Sequence, residues 1–134
     1  MKNRYIILIV ISIMESYESH IIILDLLGKL RNGDKVNILE GQITIEHPSW
    51  ISSIRRWYTE DNRRKTLEFL QNIVNKTKSL FDNKEISKER LVRSTYNALS
   101  GLRCLSFTYS DDLHFVTSIE NITQQFEIII NNTK

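Results

Sequence analysis

Residues 59–83 read TEDNRRKTLEFLQNIVNKTKSLFDN. The series Leu67, Leu70, Val74, Thr77 and Phe81 falls on one helical face, and Phe69, Ile73 and Leu80 widen it. Thr59 is placed to cap the N-terminus, and Glu60 and Asp61 sit where the helix dipole favours anions. Asp82 and Asn83 end the segment. A stripe this broad is too wide for a solvated helix and predicts packing against several others.

The flanking segments follow the same period. In SKERLVRSTYNALSGLRCLSF (87–107), Ser87 is the expected cap, with Arg90 where a capping box would place an acid or amide. Leu91, Thr95, Ala98 and Leu102 form its stripe, and Gly101 is expected to end or bend the helix. TYSDD (108–112) reads as a turn, with Ser110 or Asp111 capping a last helix striped by Phe115, Ile119, Ile122, Phe126 and Ile129. The tail, NNTK, is polar and expected to fray.

Upstream, YESHIIILDLLGKLR (17–31) places Ile22, Ile23, Leu26, Leu27 and Leu30 on a helical face, although IIIL at 21–24 also suits a strand. NGD at 32–34 stops it, with Gly33 suited to a C-terminal cap. KVNILEGQITIEH (35–47) is a connection, read either as a hairpin turning at Glu40-Gly41 or as a loop tacked down by Ile43 and Ile45. Pro48 suits the first turn of a short helix over 49–58 carrying Trp50, Ile54 and Trp57. The expected fold is all-α, a cytokine-like bundle of about five or six helices.

Composition agrees with one globular domain: 134 residues, 41% hydrophobic and 25% charged, with only 4 Gly and 1 Pro to interrupt helices. The net charge of +2 is no footprint for nucleic acid. A single cysteine, Cys104, excludes an intrachain disulfide framework and a zinc site built on cysteine pairs. Leu102, Leu105 and Phe107 around it predict a buried thiol.

The opening, MKNRYIILIVISIMES (1–16), has two readings. Lys2 and Arg4 precede an apolar run from Tyr5 to Met14, and Ser16 or Ser19 follows. That order is the order of a secretory signal, although Glu15-Ser16-Tyr17 is not the usual small-x-small. The run is too short for a membrane span. YIILIVI also has the length and branching of a buried strand. The expectation is the signal reading, with a mature domain over 17–134. Three sequons, at Asn75, Asn121 and Asn131, point toward export and glycosylation.

No phosphate loop, zinc-binding His-Glu pair or nucleophile elbow occurs. His20, His47 and His114 are scattered and are expected at or near the surface. Arg55, Arg56, Arg63, Arg64 and Lys65 form one basic cluster, read as a solvated face or an anion- or receptor-facing patch. No enzyme, cofactor or metal site is expected.

The segment SSIRRWYTEDNRRKTLEFLQNIVNKTKSLFDNKEIS (52–87) resembles interferon-gamma, a helical cytokine, in the order of Trp57, Glu60 and Arg63 and the spacing of Ile73-Val74 and Leu80-Phe81. YSDDLHFVTSIENI (109–122) is similar to the opening of that family's last helix. Phe115-Val116-Thr117 stands where the family has a basic patch, Asn121 stands where it has a histidine, and its basic C-terminal tail has no counterpart. The resemblance implies a secreted ligand that clusters a cell-surface receptor in immune or antiviral signalling. It implies an intertwined homodimer, with no nucleic acid and no membrane in the mature form. Receptor contacts would fall on Lys29, Arg31, Asn32, Asp34, Lys35, Asn37, Glu120 and Asn121. Trp57, Val74, Phe81, Phe115, Ile119, Ile122 and Phe126 would fill the core or dimer interface. The rival expectation is a small intracellular interaction module, of the viral or phage accessory type, that keeps its apolar N-terminus.

Overall fold

The computed structural model describes residues 4–9, 17–39, 42–48 and 60–132. In chain order these form β1 (Arg4–Ile9), α1 (Tyr17–Leu27), β2 (Lys35–Leu39), β3 (Gln42–Pro48), α2 (Glu60–Asp82), α3 (Glu89–Thr108) and α4 (Leu113–Asn131). Among the described residues four helices make a bundle, fewer than the five or six expected for the chain. The helix expected over 49–58, with Trp50 and Trp57, lies outside the described residues, as do Arg55, Arg56 and Thr59.

The stripes become the core. Leu70, Val74, Thr77, Leu91, Thr95, Ala98, Leu102, Phe115, Ile119, Ile122, Phe126 and Ile129 are all buried. Leu67 and Phe81 are half-buried against the same cluster. IIIL at 21–24 is helical, with Ile21, Ile23 and Leu24 buried and Ile22 turned outward. Because one chain covers Val74, Phe115, Ile119, Ile122 and Phe126, these stripes need no second copy to hide them.

Helix directions follow from side-chain contacts. α1 and α3 run the same way: Arg90 faces Glu18 at 3.7 Å, Asn97 lies 3.5 Å from Asp25, and the Gly33 amide reaches Thr108. α4 returns antiparallel to α3 after a short turn. It lies along α2, where Arg63 meets Asp112 at 2.7 Å and Gln71 exchanges hydrogen bonds with Gln125 at 2.9 and 3.2 Å.

A three-stranded antiparallel sheet in the order β1-β3-β2 joins the helices. Leu39 opposes Gln42 in the antiparallel pairing of β2 and β3, so the hairpin reading of this stretch holds. Ile43 and Ile45 alternate into the core opposite Ile38 and Val36. β2 packs against α2. β1 pairs along its whole length with β3, from Arg4 opposite Pro48 to Ile9 opposite Ile43. Pro48 therefore lies in a strand, not in the first turn of a helix. A ring without an N–H is tolerated where the ladder ends.

The helix ends also differ from expectation. The N-cap of α3 is Lys88, not Ser87, and no side chain caps it. The N-cap of α4 is Asp112, not Ser110 or Asp111, and its carboxylate accepts from the Phe115 N–H at 3.1 Å. α3 passes through Gly101 and ends seven residues later, at Thr108. Cys104 is half-buried, not buried.

Candidate interaction surface

The loop leaving α1 is held from inside. Gly33 sits at φ 96°, a conformation that favours glycine, and its N–H donates to the Thr108 hydroxyl at 2.7 Å. Asp34 is buried, and its carboxylate accepts from the Arg31 N–H at 2.8 Å. Leu30 is buried beside them. Lys29, Arg31 and Asn32 are left exposed on a loop whose backbone is already fixed.

A buried polar relay fastens the hairpin at the same end. Asn62 donates to the Val36 carbonyl at 3.0 Å and accepts from the Tyr109 hydroxyl at 3.1 Å. The Tyr109 ring packs on Phe115 with centroids 4.1 Å apart. This end of the bundle thus gathers the 28–34 loop, the start of α2, the end of α3 and the start of α4. Two large apolar side chains stand out from it: Phe107, next to Thr108, is 54% exposed, and Leu113, next to Asp112, is 78% exposed.

The expected receptor residues divide. Lys29, Arg31 and Asn32 are exposed together, whereas Asp34 points inward and serves the loop. The side chains of Lys35 and Asn37, in β2, lie outside the described residues. Glu120 and Asn121 are exposed two turns into α4, and among the described residues no hydrogen bond or ion pair joins them to the loop. Asn121 instead accepts from Gln125 at 2.7 Å. With Gln71 and Asn75 it forms a ladder of side-chain amides across α2 and α4. That ladder includes two of the three sequon asparagines.

The basic cluster is largely neutralised where it is described. Arg63 pairs with Asp112, and Arg64 bridges Asp61 at 2.5 Å and Glu68 at 2.9 Å. Lys65 reaches Asp61 at 3.2 Å. Hydrogen bonds from Arg64 and Lys65 lower the Asp61 pKa, and the hydrogen bond to Asp61 raises that of Arg64. The pairs of Arg64 and Lys65 are exposed and support a solvated helix face, while Arg63–Asp112 is half-buried.

His20 departs furthest from expectation. It is buried, and its Nε2 lies 2.7 Å from Thr77 Oγ1. The Thr77 hydroxyl also lies 2.7 Å from the Ile73 carbonyl. That carbonyl takes the threonine's proton, which assigns the proton in the His20 contact to Nε2. Burial, with Lys76 adding repulsion, lowers the His20 pKa to about 4. His114 is exposed.

Among the described residues no group of three or more His, Cys, Asp or Glu could hold a metal ion. No helix among them is long and apolar enough to cross a membrane. No family model, curated protein or solved structure matches the chain.

Proposed function

We propose that this chain acts by binding another protein through the end of the bundle that carries the 28–34 loop. One observation carries the reading: the loop is fixed by the Gly33–Thr108 and Arg31–Asp34 hydrogen bonds, yet Lys29, Arg31 and Asn32 remain free to face a partner. A loop ordered in advance loses little conformational entropy on binding. Arginine is enriched in binding hot spots, and exposed Phe107 adds an aromatic of the kind enriched at interfaces. The cations favour a partner surface of acidic character.

In its fullest form the partner is a cell-surface cytokine receptor and the chain a secreted interferon-gamma-like ligand. The four-helix bundle and the similarities at 52–87 and 109–122 support that form. A second reading is favoured by the pairing of β1 with β3 from Arg4 to Ile9. In it the apolar N-terminus is retained as a strand, and the chain is an interaction module that masks a partner inside a cell. Homodimerisation, if it accompanies the first form, would use surfaces other than the buried stripes.

Labelled protein applied to cells tests the first form. Saturable surface binding that is lost in an Arg31→Glu, Phe107→Ser variant with wild-type melting supports it. Equal binding by that variant overturns the proposed surface. The N-terminal residue of protein expressed in eukaryotic cells separates the two forms: a start near Tyr17 in the medium favours the secreted ligand, and an intact Met1 inside the cell favours the module.

A further inference from the structure

A cleft of ≈ 620 Å³ lies between α1 and α3, lined by Asp25, Gly28, Lys29, Arg90, Arg93, Ser94 and Asn97. Three cations share it. Among the described residues Lys29 and Arg93 have no acidic partner, and Arg90 has only Glu18, at 3.7 Å. The contrast with α2 is direct, where Arg63, Arg64 and Lys65 each have a carboxylate at 3.2 Å or less. These three cations outnumber the one carboxylate in the lining, Asp25; cations in excess repel one another, and a bound anion relieves that repulsion.

A second observation is independent of charge. Ser94 is only 2% exposed, lines the cleft, and its hydroxyl has no hydrogen-bond partner among the described residues. A buried hydroxyl without a partner is costly. Two threonines of the same helix show the usual solution, since Thr95 and Thr108 each donate to the carbonyl four residues back. Ser94 departs from that pattern, and it lines the cleft that holds the three cations.

We infer that the α1–α3 cleft binds a phosphate monoester, with Lys29, Arg90 and Arg93 on the phosphate and the Ser94 hydroxyl donating to one of its oxygens. A carboxylate is satisfied by one guanidinium, as Asp112 is by Arg63, whereas three cations and a hydroxyl match a dianion with three terminal oxygens. The cleft is larger than a bare phosphate. Asp25 on its wall disfavours a free anion there but accepts from a hydroxyl, and the Asn97 amide beside it donates. The ligand class is therefore a hydroxylated ester such as a sugar phosphate or a nucleoside monophosphate. This site is distinct from the protein-binding end of the bundle, and Lys29 borders both.

Calorimetric titration of the full chain with ribose 5-phosphate tests the inference, with inorganic phosphate and ribose as comparisons. The expected result is saturable 1:1 binding of the ester, weaker binding of inorganic phosphate and none of ribose. Arg93→Gln and Ser94→Ala should each weaken the ester by about tenfold, while Arg103→Gln leaves it unchanged. Ser94→Ala is the decisive variant because it alters no charge, and its melting temperature checks that the fold is kept. Absence of saturable binding overturns the site, and so does equal weakening by Arg103→Gln, which would mean diffuse charge.

Discussion

Gly101 on α3 and Leu27 on α1 approach so closely that a Cβ on Gly101 would stand 1.7 Å from the Leu27 carbonyl oxygen. The two parallel helices meet backbone to backbone there, and only hydrogen fits between them. Gly101→Ala must push α1 and α3 apart, because the obstacle is backbone and no rotamer relieves it. We expect a loss of about 3 kcal/mol or more of stability, read as a lower urea midpoint with little change in slope. Gly28→Ala meets Asn97 Cβ and carbonyl oxygen at 2.8 Å and should cost less. A wild-type midpoint for Gly101→Ala would refute the helix contact.

Gly101 also shows where the sequence is legible and where it is not. The stripes at 67–81, 91–102 and 115–129 are repeated locally, so the buried faces can be read without a partner in view. A glycine in a helix has two meanings, a stop or a close approach, and only the α1 backbone decides between them. Pro48 is ambiguous in the same way, since strand end and helix start both tolerate it. The capping positions shifted by one or two residues, from Ser87 to Lys88 and from Ser110 or Asp111 to Asp112, because several polar residues in a row can serve. The sequence places His20 at or near the surface because its partner, Thr77, is 57 positions away. The end of the bundle that carries Lys29, Arg31 and Asn32 was half legible. The loop residues are sequential, but Phe107 and Leu113 join them only through the Gly33–Thr108 contact and the α3–α4 turn.

Tyr109→Phe should remove the hydrogen bond that the Tyr109 hydroxyl donates to buried Asn62 Oδ1. The expected cost is about 1–3 kcal/mol. Asn62→Ala should cost more, because the Val36 carbonyl loses its donor as well and the hairpin loses its tie to α2. Amide exchange in β2 would then quicken before global unfolding. Unchanged exchange in β2 would show that the hairpin is held by Val36, Ile43 and Ile45 alone.

Phe115 is 1% exposed against Tyr109, at the start of α4. Phe115→Asp places an unpaired carboxylate among apolar side chains, at a cost on the order of 3–5 kcal/mol. Loss of cooperative melting, or a midpoint lowered by that amount, is the expected outcome. Wild-type melting would mean that the stripe of α4 does not face the core.

His20 makes a pH prediction with a definite sign. Its pKa falls from 6.5 in the unfolded chain to about 4 in the fold. The unfolded chain therefore binds more protons between these values, and acid favours unfolding. The contribution of His20 is fully favourable to the fold above pH 6.5. It falls as pH drops from about 6.5 to about 4 and is flat below. The shift corresponds to about 3 kcal/mol. His20→Gln keeps a donor for Thr77 and removes the titration. The difference in unfolding free energy between wild type and His20→Gln should shrink or reverse as pH falls through that window, and other groups cancel in the difference. A constant difference from pH 7 to pH 4 would mean that the imidazole reaches solvent in the fold.

The loop prediction rests on Thr108, whose hydroxyl accepts from the Gly33 N–H and itself lies 3.1 Å from the Cys104 carbonyl. Thr108→Val keeps the shape and removes the acceptor, so the Gly33 amide is left buried without a partner. The cost to global stability is about 1–3 kcal/mol, and the local consequence is larger. Amide exchange at Gly33 should accelerate, and order along 29–34 should fall, while α2 and α4 keep their protection. Binding through this end of the bundle should weaken mainly in its association step, because the loop must now be ordered on contact. If Thr108→Val mobilises the loop and leaves partner affinity unchanged, the fixed backbone is not what the interaction uses. If affinity falls while Gly33 exchange stays slow, Thr108 acts by direct contact and the anchoring argument fails.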